Sequence, residues 1–138
     1  MPASQQRVVI DTNIFISFLI NGNFSKLNKI ILEDKAILIL SSELINELLE
    51  VLNRPKFKKI ISSKDKELLM SFFENHGELV KVRTKLTLSR DSKDDFLLAL
   101  AIDGNASHLI TGDEDLLVLK KVKKTRIVSI KKYLTDAG

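Results

Sequence analysis

The chain has 138 residues, enough for one domain with a sizeable core, and 44% hydrophobic with 29% charged residues is the composition of a folded globular protein. It has no cysteine, which excludes disulfides and thiolate metal sites, and only two histidines, which restricts imidazole chemistry. The net charge of +4 permits a polyanionic partner, and the absence of a long apolar run or a cleavable leader pattern points to a cytoplasmic protein with no membrane contact.

Residues 1–6 read as a flexible leader to a single domain over 7–135. RVVI (7–10) is a β-branched run and the first predicted strand, with helix expected from Asn13 to Gly22. Leu27, Ile30 and Ile31 are spaced as one helix face within 24–34. AILIL (36–40) is a second buried strand, and Ser41-Ser42-Glu43 starts a helix to about Asn53. Pro55 breaks the chain before an amphipathic helix over 63–77 that closes on Gly77. ELVKV (78–82) is a third strand, and 91–104 is an apolar helix closed by Gly104. HLIT (108–111), a short helix after Gly112, RIVSI (126–130) and a terminal helix complete the order. Short apolar strands alternating with helices predict a three-layer α/β/α sandwich around a mainly parallel sheet.

Acids gather where such a sheet binds ligands, just past the carboxyl ends of its strands. Asp11 follows the first strand, and Asp113 and Asp115 follow HLIT. Asp91, Asp94 and Asp95 open the FLLALA helix, and Glu47 lies within the helix after AILIL. Each has a plain reading. Asp11 or Asn13 and Asp113 are good helix caps, Ser92 to Asp95 fits a capping box, and Glu47 shares a polar face with Glu43 and Glu50. Taken together they suggest more. If the first and fourth strands are neighbours, Asp11 and Asp113 converge, and a hard divalent cation relieves the repulsion.

VVIDTNIFIS, SSELINELLEVLNRPKF, RDSKDDFLLALAIDGNASHLITGDEDLLVL and IVSIKKYL resemble the PIN domain (PilT N-terminus) family, in its branch of prokaryotic toxin–antitoxin toxins. The resemblance spans roughly Arg7 to Leu134. It implies a PIN-like sandwich and a Mg²⁺- or Mn²⁺-dependent endoribonuclease with one or two ions. The catalytic and metal-binding acids it implies are Asp11, Glu47, Asp95 and Asp113, with Asp94 competing for the Asp95 role and Asp115 as an outer ligand. Asn13, Thr12 and Thr111 are supporting residues in the same comparison. Ser92 stands where this branch usually has Pro, which leaves Asp91 as a loop or cap residue. A cognate antitoxin protein and a homodimer are the further partners implied.

Hydrolysis of RNA by metal-activated water needs no side-chain base. RPKFKK and KKVKKTR would hold the RNA backbone through Arg54, Lys56, Lys58, Lys120, Lys121, Lys123 and Lys124, although charge runs are also common on solvated faces. The alternative is a non-catalytic metal-binding module that binds RNA or assembles with partners. A histidine acid/base ribonuclease requires His76 and His108 to meet, and a phosphoacceptor receiver requires an acid pair where Asp11-Thr12-Asn13 stands. The five phenylalanines Phe15, Phe18, Phe72, Phe73 and Phe96 are expected in the core.

Overall fold

Val8, Val9 and Ile10 are all buried, so both faces of strand β1 (Arg7–Ile10) are covered, as a central parallel strand requires. The computed structural model describes residues 5–22, 24–87 and 92–137. Asp91 therefore lies outside the described residues. From β1 the chain passes through α1 (Thr12–Asn21), α2 (Ser25–Asn28) and a π-helical turn (Lys29–Glu33) to β2 (Ile37–Leu40). Next come α3 (Ser42–Leu52), α4 (Pro55–Lys58), α5 (Ser63–His76), β3 (Gly77–Leu79) and α6 (Ser92–Asp103). The last elements are β4 (His108–Ile110), α7 (Glu114–Leu117), β5 (Lys121–Val122), β6 (Thr125–Val128) and α8 (Ile130–Ala137).

Among the described residues the strands form one sheet in the order β3-β2-β1-β4-β6-β5, parallel except for the β5–β6 hairpin at one edge. The core fills both sides of it. Helix α6 packs across β1, β2 and β4, and α5 packs on β2 and β3. Phe15, Phe18, Phe72 and Phe73 are buried as expected, with Phe15 edge-on to Phe73 at 5.2 Å between centroids. Phe96 is not in this core; it is half-buried on a cavity wall. Tyr133 of α8 is buried against His108, and burial followed by the nearby Asp34 charge pushes its hydroxyl up to about 12.

Several boundaries differ from the sequence expectation. The amphipathic run 24–34 divides at Lys29, where the backbone widens into the π turn while Leu27, Ile30 and Ile31 stay buried. Gly22 is a left-handed cap at φ 60°, closing α1 through its N–H to the Leu19 carbonyl. Gly77 and Gly104 are not such caps. Gly77 is extended at φ −100°, and a Cβ there would lie 2.5 Å from Leu40 Cδ1 and from the Phe73 carbonyl oxygen. At Gly104 a Cβ would strike Ile39, and Asn105 takes the left-handed turn at φ 51° instead. Both glycines bring helix ends onto β2. The third strand ends at Leu79, three residues short of the predicted end, and β5 has no counterpart among the predicted strands, whereas β6 overlaps the predicted RIVSI.

Candidate metal centre

Connections leave β1 toward β2 on one side, while β4 lies on the other, so the strand order reverses between β1 and β4. A crevice opens outside the carboxyl ends of strands at such a switch point. Here it is a cavity of about 560 Å³, walled by Asp11, Thr12 and Asn13, by parts of α3, α4 and α6, and by Asp113.

Asp11, only 8% exposed, caps α1 and faces the cavity. Its Oδ1 accepts from the Asn13 backbone N–H at 3.3 Å, and its Oδ2 accepts from the Thr111 hydroxyl at 2.8 Å. Each carboxylate oxygen has two lone pairs, so these bonds leave acceptor capacity toward the cavity. The buried Thr111 carries the link onward, its Oγ1 accepting from the Asp113 N–H at 3.1 Å. Asp113 in turn caps α7, its Oδ1 accepting from the Asp115 N–H at 2.9 Å. Thr111 thus ties the ends of β1 and β4 together through side chains. Capping and a place at the site coexist in both acids.

One carboxylate oxygen from each of Asp94, Asp113 and Asp115 lies within 4.8 Å of the others. Asp94 is 4% exposed, Asp113 is half-buried and Asp115 is exposed, so the trio runs from the interior out to solvent. Its donors are oxygens alone, which is the set that hard divalent cations such as Mg²⁺ and Mn²⁺ take. The residues fit such an ion.

Adjacent helix residues point about 100° apart, so Asp94 and Asp95 stand differently toward the cavity. Asp94 lines it, whereas Asp95, which the sequence comparison placed as the inner acid with Asp94 competing, is half-buried off the wall. The buried Leu97, Leu98 and Ala101 set the rotation of α6, and Asp94 shares their side. Ser92 is itself helical, so it is not the cap of a capping box.

Helix α3 sends Glu43, Glu47 and Val51 to the cavity along one stripe of its surface, and Arg54, the extended residue before α4, joins them on the wall. Glu47 sits outside the trio, its Oε1 3.5 Å from the Lys93 ammonium. Glu43, read from the sequence only as a neighbour of Glu47 on its polar face, also lines the cavity, and its spacing of one helical turn from Glu47 was the available signal. Thr12 and Asn13 line the cavity, and Thr111 reaches it through Asp11. Of the cations expected to hold RNA, Arg54 and Lys56 are on the wall, with the Lys56 ammonium 4.9 Å from the Phe57 ring centroid. Lys58 is exposed on α4 off the wall, and Lys120, Lys121, Lys123 and Lys124 lie around β5 at the sheet edge. His76 and His108 are not on the wall: one packs on Phe72, the other on Tyr133.

Among the described residues the wall carries five acids, Asp11, Glu43, Glu47, Asp94 and Asp113, against three cations, Arg54, Lys56 and Lys93. One divalent ion would balance that difference of two charges. The floor is then suited to a cation and the flank to an anion.

A family profile described as PIN domain matches residues 7–115. The uncharacterized protein MJ1680 of Methanocaldococcus jannaschii is 31% identical over 121 residues, covering 86% of this chain and 77% of that relative.

Proposed function

Since the chain belongs to the PIN domain family, whose members are generally metal-dependent nucleases, we propose that it is a Mg²⁺- or Mn²⁺-dependent endoribonuclease acting at this cavity. The observation that carries the reading is the convergence of Asp94, Asp113 and Asp115, with Asp11 and Glu47 on the same cavity wall as Asp94 and Asp113. Asp94, Asp113 and Asp115 would hold the ion, with Asp11 able to complete the set from the β1 side. A bound divalent ion supplies charge neutralisation at the phosphoryl oxygens and lowers the pKa of water.

The chain's own residues do the positioning. Thr111 fixes the Asp11 carboxylate by donating to Oδ2, and the α1 N-terminus holds the other oxygen through the Asn13 N–H. Asn13 presents its exposed amide to the cavity, where it can orient a water or a phosphate. Arg54 and Lys56 line the flank and attract the phosphodiester backbone. Ile16, Leu97 and Phe96 supply an apolar wall that limits how much water shares the site.

In the same reading the chain is the toxin of a toxin–antitoxin pair, cytoplasmic, homodimeric and restrained by an antitoxin protein. The support is the resemblance of its motif segments to that branch.

Product ends test the chemistry. Attack by water has no need of the ribose 2′-OH, so cleavage of a labelled RNA should leave a 5′-phosphate and a free 3′-hydroxyl and stop in EDTA. A 2′-deoxy residue at the scissile position should slow cutting without preventing it. Asp94→Asn should lower kcat by roughly 10²-fold or more, the scale of a lost electrostatic contact to the transition state, while Asp95→Asn stays within several-fold of wild type. Cyclic-phosphate ends that persist in EDTA would overturn the reading. Metal binding without any cleavage would favour the non-catalytic module.

A further inference from the structure

Between Leu116 and Thr135 the chain carries Lys120, Lys121, Lys123, Lys124, Arg126, Lys131 and Lys132 and not one acid. Those are seven of its 22 cationic side chains, which leaves 15 cations against 18 acids elsewhere. The whole positive balance of the molecule is therefore concentrated on one sheet edge and the helix after it. All seven are exposed.

The local arrangement goes beyond a solvated face. Lys121 pairs directly with Arg126 across the antiparallel β5–β6 ladder, a like-charge juxtaposition that destabilises a sheet on its own. Lys120 and Lys123 adopt left-handed backbone, at φ 63° and 50°, where glycine or asparagine is the favoured choice. A lysine at an edge strand can also serve to block edge-to-edge pairing. That role accounts for one or two cations on a two-residue strand, not for those at the turn and on α8.

Nor do the hairpin cations belong to the cavity. Arg126 pairs with His108, the first residue of β4, whereas the cavity lies past Ile110, the last. With β5 two strands out from β4, Lys121, Lys124 and Arg126 stand on the order of 15 Å from the acids, at the opposite end of the sheet, whereas Lys131 and Lys132 open α8 just past the carboxyl end of β6.

We infer that the β5–β6 hairpin is a second nucleic-acid contact, a docking surface for the phosphate backbone of a single-stranded RNA, separate from the cavity. Several phosphates engage it at once through Lys121, Lys124 and Arg126. The contact is sequence-independent, salt-sensitive and needs no metal.

Binding of a fluorescein-labelled oligouridine of about 12 nucleotides, followed by anisotropy in EDTA, tests this apart from any chemistry at the acids. The hairpin variant is the triple Lys121→Gln, Lys124→Gln, Arg126→Gln, which spares both left-handed lysines. The control is Lys26→Gln, Lys64→Gln, Lys81→Gln, an equal loss of charge at exposed positions elsewhere. Each phosphate contact contributes about −0.7 to the slope of log K against log salt. The hairpin variant should therefore lose about 2 from that slope and bind at least about tenfold more weakly at low salt, while the control keeps the wild-type slope. Its melting temperature should hold or rise, because a repulsive pair has gone. Equal losses in both variants would reduce the effect to net charge and overturn the proposal. An unchanged slope in the hairpin variant would overturn it too, and leave an acidic protein surface as the partner class.

Discussion

Lys93 shows how one side chain can alter the character of a carboxylate site. Its ammonium lies 3.5 Å from Glu47 Oε1, in the cavity where a divalent ion would be held. With 69% of the Lys93 side chain and 34% of the Glu47 side chain exposed, solvent screens the pair, and such pairs contribute about 0–1 kcal/mol. That is small for folding and still visible in binding. A metal ion must compete with this resident cation, so Lys93→Gln should lower the Mn²⁺ concentration at half-saturation by up to about fivefold, the equivalent of 1 kcal/mol. Isothermal titration gives the number directly. In a Glu47→Gln background the gain should vanish, and a Lys93→Gln protein that binds Mn²⁺ more weakly would make Lys93 a helper instead of a competitor.

Helix α6 joins the site to the far end of the sheet. It opens with Asp94 at the cavity and closes with Asp103, whose Oδ2 accepts from the Arg83 and Thr84 backbone N–H groups and whose Oδ1 accepts from the Thr84 hydroxyl. That clamp anchors the returning chain from β3 against the helix end. Burial pushes the Asp103 carboxyl upward, but the Thr84 hydroxyl and the backbone donors of Thr84 and Arg83 outweigh it and hold the pKa below the usual 3.8. A depressed folded-state pKa means stability that is complete above the unfolded value and is lost as pH falls through the folded one. Asp103→Asn should therefore cost about 1–2 kcal/mol near neutral pH. Its deficit relative to wild type should shrink below about pH 4, which urea unfolding at several pH values would reveal. A deficit independent of pH would mean that packing at the helix end, not the carboxylate, makes the difference.

For the whole molecule, metal binding and folding are linked. A cation that binds the native acids and not the unfolded chain stabilises by about 2.7 kcal/mol at a hundredfold excess over its dissociation constant. For a domain of this size that is a rise in melting temperature on the order of 10 °C. Mn²⁺ should produce it in wild type and EDTA should reverse it. Asp94→Asn should remove most of the rise while leaving the metal-free protein at least as stable, because one member of a repelling trio has gone. A full rise in the Asp94→Asn protein would place the ion elsewhere.

The order of strands and helices was legible because burial leaves its mark on residue order: short β-branched runs such as RVVI and helix faces such as Leu44, Leu48 and Leu52 are patterns of period and run length. Acids after the first and fourth strands were equally plain, since a carboxylate beside a buried run needs a reason. What local pattern could not carry was rotation and pairing. Asp94 and Asp95 are neighbours with the same chemistry, and the packing of Leu97, Leu98 and Ala101 against the sheet decides which one turns inward. Likewise the meeting of Asp11 with Thr111 depends on β1 lying beside β4, a contact between residues a hundred positions apart. Gly77 and Gly104 look like helix stops in a linear reading, yet each is required by a side chain of β2, Leu40 for one and Ile39 for the other. Sequence determined which groups were available and on what kind of element. Only the folded chain, by choosing which faces pack, determined which of them share a cavity.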